Sequence, residues 1–187
     1  MRYLTLNLKG VMQYYASTSG LAVSVSGGYY KTEHCPTKNA LAGMIGCVMG
    51  IPRRDRRLKD LLNLKMKYRT LQRGCVIRDF QTVSGMPIKD KPGEFEKFVK
   101  IKGGEEEFTI IKTVEYLCDY AFEAYIGSED EDLLKKIREA FWDPVWDPYL
   151  GRKNCLPSIP IVTDGKILTE EEMEEMEDVY DCLESNC

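Results

Sequence analysis

The chain has little histidine, no long apolar run and none of the familiar catalytic signatures. His34 is the only histidine among 187 residues, and no nucleophilic triad, Walker loop or dinucleotide-binding motif is present. No apolar stretch reaches the roughly 18 residues needed to cross a bilayer. The first residues, MRYLTLNLKG, alternate like a strand and lack the apolar block of a signal peptide. These absences predict a soluble, cytoplasmic protein without membrane contact.

Cysteine is plentiful, but its spacing does not indicate a metal site or a disulfide framework. The seven cysteines are an odd number, and most lie in apolar runs such as GCVMG and YLCDYAF, which is typical of reduced, buried thiols. A zinc site needs about four ligands, and His34 is far in sequence from the closest pair, Cys182 and Cys187. We therefore expect no metal and no cofactor. A lone histidine without an acidic neighbour is expected to be structural rather than catalytic.

The net charge of −4 hides an uneven distribution. Residues 169–187 hold nine acidic side chains and no Lys or Arg, which leaves the remainder with 26 basic and 21 acidic side chains. Within that remainder, residues 52–73 hold nine Lys or Arg and two Asp. A basic body indicates a polyanionic partner such as nucleic acid, although a well-solvated surface accounts for the same charges.

The first half of the chain predicts a strand, a helix and further strands. Residues 2–9 alternate apolar and polar side chains. Thr37 is expected to cap a helix that ends at Gly50. Gly43 and Gly46 lie inside that helix and cost about 1 kcal/mol each relative to Ala. They are tolerated where a ligand or another backbone packs closely, and close packing of the helix on a sheet is at least as good a reason.

The second half adds strands, an exposed hairpin and another helix. Residues 65–78 predict one or two strands, and residues 84–112 predict a projecting hairpin around the turn Gly103-Gly104. Residues 113–126 predict a single apolar strand, and Ser128 is expected to cap an amphipathic helix. This order fits an α+β, ferredoxin-like sandwich with an inserted hairpin. Because many unrelated proteins share that fold, it does not decide function.

Several polar and cationic side chains lie at the ends of the predicted elements. Lys38 and Asn39 occupy the first turn of a helix, where free N–H groups and the helix dipole favour an anion. Gly151 is expected to let the backbone approach a phosphate, and Tyr149 offers a stacking face for a base. The cations of this set are Arg53, Arg54, Arg78, Arg152 and Lys153. Each of these residues alone is a weak signal, but together they predict an RNA-binding surface.

Five motifs, in order, resemble those of the CasD-type subunits of the type I-E CRISPR surveillance complex, Cascade. Gly10-Val11-Met12-Gln13 resembles G-P-M-Q, and Pro36-Thr37-Lys38 with Gly50-Ile51 matches P-T-[RK]…G-I. Arg78-Asp79-Phe80-Gln81-Thr82-Val83 is similar to R-D-Y-H-T-V but differs at Phe80 and Gln81. Tyr116-Leu117-Cys118-Asp119 matches Y-L-C-D, and the seven residues Tyr149–Cys155 match Y-L-G-R-[RK]-S-C with one change.

This resemblance implies a RAMP protein, with an RRM-like ferredoxin sandwich, that holds the 5′ handle of the CRISPR RNA (crRNA) and is not an enzyme. It implies a domain over residues 1–160, a β-hairpin thumb over about 84–112, and a short acidic C-terminal extension over 161–187. The implied partners are the crRNA handle, the backbone and large subunits of Cascade, and target DNA through the complex. Gln13 and Gln81 join the candidate RNA-binding residues because they lie in the matched motifs.

Two other interpretations remain open at this point. In type I-C relatives the corresponding subunit is a metal-independent endoribonuclease that cleaves repeat RNA with Tyr, Lys and His. Here Gln81 stands in place of the motif histidine, and His34 lies in no comparable motif. The other alternative is a repurposed or phage-borne homologue that acts as a decoy. Family members also continue further after the Tyr149–Cys155 loop, some with a fused HNH nuclease, whereas an acidic segment follows here.

Overall fold

A computed structural model describes residues 1–17, 22–24, 27–84, 86–87, 95–96, 98–101, 104–107, 109–163 and 167–183. Its first sheet is antiparallel and has five strands in the order β13-β1-β12-β5-β14. These strands are β1 (Arg2–Lys9), β5 (Lys65–Gln72), β12 (Ala121–Ser128), β13 (Ile167–Thr169) and β14 (Val179–Asp181). The strand predicted over residues 2–9 is confirmed. Its alternation directs Leu4, Leu6 and Leu8 into the main core, where all three are fully buried.

Two longer helices also contribute to this core. Helix α1 (Lys38–Val48) begins after Thr37, whose side chain accepts a hydrogen bond from the Ala40 N–H, so the predicted cap is confirmed. Helix α3 (Glu131–Trp142) buries Leu134 and Ile137. A short helix, α2 (Arg57–Leu62), packs beside α1. Among the helices in the described part of the chain, none is long and apolar enough to cross a membrane.

The start of α3 differs from the prediction. Asp130, not Ser128, caps the helix, because its carboxylate accepts a hydrogen bond from the Leu133 N–H at 3.0 Å. Ser128 is the last residue of β12, and its hydroxyl accepts instead from the Asp130 N–H at 3.1 Å. Both side chains can accept such bonds, and the length of β12 decides which of them reaches the helix.

A second sheet is built around β11 (Thr109–Cys118). Strand β6 (Cys75–Ser84) pairs antiparallel with β11 along its full length. The opposite edge of β11 pairs with β2 (Met12–Gln13) and with β4 (Gly27–Tyr30), and β3 (Ala22–Ser24) lies outside β4. The single strand predicted over residues 113–126 is therefore wrong. Asp119, with a φ of +59°, turns the chain between β11 and β12 so that the two strands enter different sheets.

The predicted hairpin over residues 84–112 is longer than expected. The pairing of β6 with β11 extends it at its base as far as Cys75 and Cys118. Beyond that ladder, β7 (Met86–Pro87) pairs with β8 (Phe95–Glu96), and β9 (Phe98–Ile101) pairs with β10 (Gly104–Glu107). Gly103, the first residue of the predicted turn, lies outside the described residues. The described part of this segment is a two-stranded arm that carries two short hairpins.

The acidic C-terminal segment is built into the first sheet. Strand β13 adds to the outer edge of β1, and β14 adds to the outer edge of β5. Helix α4 (Glu170–Glu174) connects them and starts with a capping box between Thr169 and Glu172. Met173 packs in a small second core with Tyr3 and Tyr125. Residues 167–183 thus belong to the same folded body as the segment before residue 160.

The cysteines of the described residues are free thiols, as expected. Four of them, Cys35, Cys118, Cys155 and Cys182, are buried, whereas Cys75 is exposed. Burial raises the pKa of Cys155 to about 11 and the pKa of Cys182 to about 12. These thiols therefore remain protonated and unreactive in the folded protein.

Candidate nucleic-acid interface

The loop after α3 is held against the end of α1 by backbone and thiol contacts. The Val145 N–H donates to the Val48 carbonyl at 2.9 Å. The Cys47 thiol lies 3.6 Å from the Trp146 carbonyl and 3.5 Å from the Asp147 carbonyl, and donates to both. These bonds fix a groove whose walls are α1 on one side and the Trp146–Lys153 loop on the other.

We call this feature the α1 groove. It consists of a cavity of about 270 Å³ that adjoins a broader depression of about 890 Å³. The two share Cys47, Arg53, Trp146 and Tyr149 as lining residues. The structure brings five of the predicted site residues to this one groove, namely Asn39, Arg53, Tyr149, Gly151 and Lys153.

The face of α1 that lines the groove carries only short side chains, since Asn39, Gly43 and Cys47 follow one another there at four-residue spacing. A Cβ atom added at Gly43 would meet no other atom within 4 Å, so packing inside the protein does not require this glycine. Gly46 differs, since its added Cβ would lie 2.4 Å from Leu58 of α2. Gly46 thus packs closely against another helix, not against a sheet as expected, whereas the space beside Gly43 is open.

The opposite wall supplies aromatic rings and cations. Trp146 is 48% exposed, and Tyr149 is half-buried beside it. Arg53 and Lys153 are exposed at the rim, with Asp147 as the acidic residue among the lining. Aromatic faces beside a positively charged groove are the arrangement with which proteins bind single-stranded nucleic acid. Sequence reasoning missed Trp146, although its place in the proline-braced run DPVWDPY was a usable signal of a rigidly presented ring.

Gly151 has a packing role that the sequence did not indicate. Its φ is +91°, and an added Cβ would lie 1.5 Å from the Tyr14 carbonyl oxygen. The missing side chain therefore lets the loop pack against the Tyr14 backbone, and the residue also lines the α1 groove. The Tyr14 N–H also donates to the Leu150 carbonyl at 2.9 Å, which ties the loop to the body.

Arg152 also differs from the expectation of a free phosphate ligand. Its guanidinium lies over the Tyr14 ring, 4.2 Å from the centroid, and 5.3 Å from the centroid of Tyr30. These cation–π contacts hold a half-buried side chain against the body. Lys153 is the exposed cation of this turn.

The beginning of α1 is partly occupied by the protein itself. The Lys38 N–H donates to the Leu183 carbonyl at 3.1 Å, and Thr37 takes the Ala40 N–H. The C-terminal segment therefore occupies one of the backbone N–H groups that were predicted to be available to an anion. Lys38 does not line the α1 groove, and Arg54, which is exposed beside Arg53, does not line it either.

Gln13 belongs to the core. Its side chain is fully buried, its amide nitrogen donates to the Tyr120 carbonyl at 2.7 Å and to the Leu8 carbonyl at 3.2 Å, and its oxygen accepts from the Tyr15 hydroxyl at 2.7 Å. These bonds join β1, β2 and the turn before β12. The expectation that Gln13 contacts RNA is corrected, since this side chain does not reach the surface.

Arg78 and Gln81 lie on β6, away from the α1 groove. The Arg78 guanidinium is 3.4 Å from the Glu115 carboxylate, which also accepts a bond from the Tyr29 hydroxyl. Burial raises the pKa of Glu115, but the bonds from Tyr29 and Arg78 outweigh it and hold that pKa below its ordinary value. Gln81 donates to Asp79 on its own strand. In the described part of the chain, no group of three His, Cys, Asp or Glu side chains is arranged to hold a metal ion.

Comparison with known proteins identifies the family. Residues 3–186 match the family described as CRISPR-associated protein (Cas_Cas5). The chain belongs to this Cas5 family. A member with curated function, the CRISPR system Cascade subunit CasD of Escherichia coli (strain K12), is 26% identical over 161 residues, which is 85% of this chain and 69% of CasD.

Solved structures show the same architecture. A chain of a CRISPR RNA-guided surveillance complex superposes with a TM-score of 0.68 at 26% identity, and covers 92% of this chain. A structure titled as a Cas protein superposes with a TM-score of 0.59 at 24% identity over 90% of this chain, which supports the fold alone. This chain spans 66% and 65% of the lengths of those two proteins. The mixed α/β architecture, with mostly antiparallel strand pairs, is thus similar to that of Cas5 proteins.

Proposed function

We propose that this protein is a crRNA-binding subunit of a type I-E-like CRISPR surveillance complex, and that it anchors the 5′ handle of the crRNA in the α1 groove. The observation that carries the proposal is that the groove gathers stackable rings, Trp146 and Tyr149, and exposed cations, Arg53 and Lys153, around a helix wall kept low by Gly43. The similarity to the Cascade subunit CasD and to a chain of a surveillance complex supports it.

The division of labour in the groove follows from its geometry. Arg53 and Lys153 neutralise phosphates, which supplies affinity that depends strongly on salt. Trp146 and Tyr149 stack on unpaired bases. Gly43 and Asn39 let the sugar–phosphate backbone approach α1 closely, because no side chain at Gly43 stands in the way.

The test is the affinity for handle RNA from the CRISPR repeat over a series of salt concentrations. For a single strand, the slope of log K against log salt is about −0.7 per phosphate contact, so Arg53→Ala with Lys153→Ala should make it shallower by about 1.4. A matched control is Lys59→Ala with Lys136→Ala, which removes two exposed cations outside the groove. An unchanged slope in the groove variant would place the phosphate site elsewhere.

We further propose that the first sheet and its two longer helices form a ferredoxin-like RAMP domain. The strand order β13-β1-β12-β5, with α1 after β1 and α3 after β12, is the order that a β-α-β-β-α-β chain gives when all neighbours are antiparallel. The β6–β11 arm is then an insertion between the second and third strands, in the position of a thumb that contacts a neighbouring backbone subunit. The large subunit and target DNA are further partners of the assembled complex, in the cytoplasm.

We propose a structural rather than a catalytic role in this complex. The side chains in the α1 groove that could take part in acid–base chemistry are Asp147, Cys47, Tyr149 and Lys153, and burial raises the pKa of Cys47 above its ordinary value. Among the described residues that line the groove there is no histidine to complete the Tyr, Lys and His set of the type I-C relatives. Incubation of the purified protein with repeat RNA is therefore expected to leave the RNA intact. Site-specific cleavage that is lost in His34→Ala would favour the endoribonuclease interpretation instead.

A further inference from the structure

The exposed histidine lies at the junction of two clefts on a part of the surface that the proposed handle site does not use. One cleft, of about 460 Å³, is lined by His34, Cys35, Tyr68, Thr70, Arg73, Tyr120 and Tyr180. The other, of about 360 Å³, is lined by Ser17, Lys31, Thr32, Glu33, His34, Val76, Arg78 and Glu115. We call the pair the His34 cleft. It shares no lining residue with the α1 groove.

Three tyrosine rings form one half of this cleft. Tyr120 stacks on Phe122 with centroids 5.6 Å apart and planes 15° apart, so its ring orientation is fixed by the core. Tyr68 and Tyr180 form a tilted pair with centroids 5.9 Å apart. Tyr180 is 55% exposed on β14. Rings held in this way are ready platforms for planar groups, since stacking on them costs little further ordering.

Cations surround the rings. Arg73 is exposed on the same half as the tyrosines, and Lys31 and Arg78 line the other half. The carboxylates in the lining are Glu33 and Glu115, and Glu115 already accepts bonds from Arg78 and Tyr29. Beside the rings, the Asp178 carboxylate accepts a bond from the Tyr180 hydroxyl at 3.4 Å. Of the hydroxyl side chains in the lining, Ser17 and Thr32 are buried, and the Thr32 hydroxyl already accepts from the Tyr15 N–H and donates to the Glu33 carbonyl. Thr70 is half-buried, and its hydroxyl suits the sugar hydroxyl that distinguishes RNA from DNA.

From this juxtaposition of tyrosines and cations we infer that the His34 cleft is a second binding site for single-stranded RNA, separate from the α1 groove. Bases stack on Tyr180 and its neighbours, and phosphates pair with Arg73 and Lys31. A strand long enough to reach both sites is held at two points of one folded chain, so the second contact raises the affinity by high local concentration. The inference extends the proposed function but does not depend on the α1 groove.

The first experiment is the affinity of the full chain for a fluorescent 12-nucleotide oligoadenylate at fixed salt. Loss of one stacked base typically weakens binding by about 5- to 10-fold or more, and we expect this loss for Tyr180→Ala. Tyr180→Phe keeps the ring and should bind like the parent protein. Arg73→Glu should weaken binding and flatten its salt dependence, whereas Lys136→Glu, on the surface of α3, makes the same charge change outside both sites.

The second experiment maps contacts directly by photocrosslinking to the same strand with 4-thiouridine at single positions. Crosslinks in the peptides that carry Tyr120 or Tyr180 are expected, in addition to those that carry Trp146. Because this readout does not require a variant, it remains decisive if Tyr180→Ala lowers the melting temperature.

The outcomes separate the two sites. If Tyr180→Ala and Arg73→Glu bind with full affinity and the crosslinks are confined to the Trp146 loop, the His34 cleft is not an RNA-binding site. That result would not contradict the proposed site in the α1 groove. Weakened binding in these variants, with no effect of Arg53→Ala and Lys153→Ala, supports the cleft and contradicts the handle site proposed above.

Discussion

Replacing Gly151 by alanine tests how the Tyr149–Cys155 loop is attached to the body. The residue has a φ of +91°, and its added Cβ would lie 1.5 Å from the Tyr14 carbonyl oxygen and 2.7 Å from the carbonyl carbon. A left-handed backbone costs a non-glycine residue about 1–2 kcal/mol. The contact is with backbone atoms, so no side-chain rotation relieves it, and forced displacement of packed groups costs about 1–3 kcal/mol.

Displacement of the loop also weakens the 2.9 Å hydrogen bond from the Tyr14 N–H to the Leu150 carbonyl, worth about 1 kcal/mol. Together we expect Gly151→Ala to lower the free energy of unfolding by about 3 kcal/mol or more. For a chain of this size that corresponds to a melting temperature lower by about 6 °C or more. Urea denaturation followed by far-UV circular dichroism measures the free energy directly.

Gly43→Ala is the matched control, because it makes the same chemical change at a glycine whose added Cβ meets nothing within 4 Å. Alanine is favoured over glycine within a helix by about 0.5–1 kcal/mol, so this variant should be slightly more stable than the parent protein. A loss below about 1 kcal/mol in Gly151→Ala would refute the reasoning, since it would show that the loop moves away from Tyr14 without cost.

Further predictions concern RNA binding, the arm, thiol reactivity and acid. Gly43→Ala should bind handle RNA more weakly despite its higher stability, which equal or tighter binding in a filter assay would contradict. Replacing Pro87–Gly104 by a short Gly/Ser linker should preserve the melting transition but reduce co-purification of the neighbouring backbone subunit; normal assembly would refute the thumb proposal. In native protein at pH 8, iodoacetamide should modify Cys75 before Cys155 and Cys182, as mapped by mass spectrometry. Hydrogen bonds from Arg57 lower the Asp55 pKa to about 2, so its stabilising contribution is present above about pH 4 and lost towards pH 2. Asp55→Asn should therefore have a lower melting temperature than the parent protein at pH 5, and the same melting temperature as the parent protein at pH 2.

Local patterns predicted most elements of the fold correctly. The alternation in residues 2–9 and the Thr37 cap each depend on a few neighbouring residues, and both are as expected. The apolar run over residues 113–126 shows the limit of such patterns. Both strands of this run are buried, so the apolar residues continue on either side of Asp119. The chain changes sheet at Asp119, where the backbone φ is positive, and the apolar pattern gives no sign of that turn.

The candidate site was predictable in its chemistry but not in its membership. Arg53, Tyr149 and Lys153 were expected and do line the α1 groove, because residues at the ends of elements tend to meet. Gln13 and Arg152 have side chains of the right chemical type, yet the fold buries the first and stacks the second on Tyr14. Long-range contacts decide which polar side chains are used inside the folded protein, and a short motif does not encode those contacts.

The acidic C-terminal segment shows how such contacts shape the binding surface as well as the fold. Its strand β14 places Tyr180 beside Tyr68, and its Leu183 carbonyl occupies the Lys38 N–H at the start of α1. The segment therefore covers one expected anion site and contributes an aromatic ring to a second cleft. Its nine acidic residues set the sign of the net charge, but in the proposed His34 cleft the segment helps to present RNA-binding groups. A count of charges alone would have given it the opposite role.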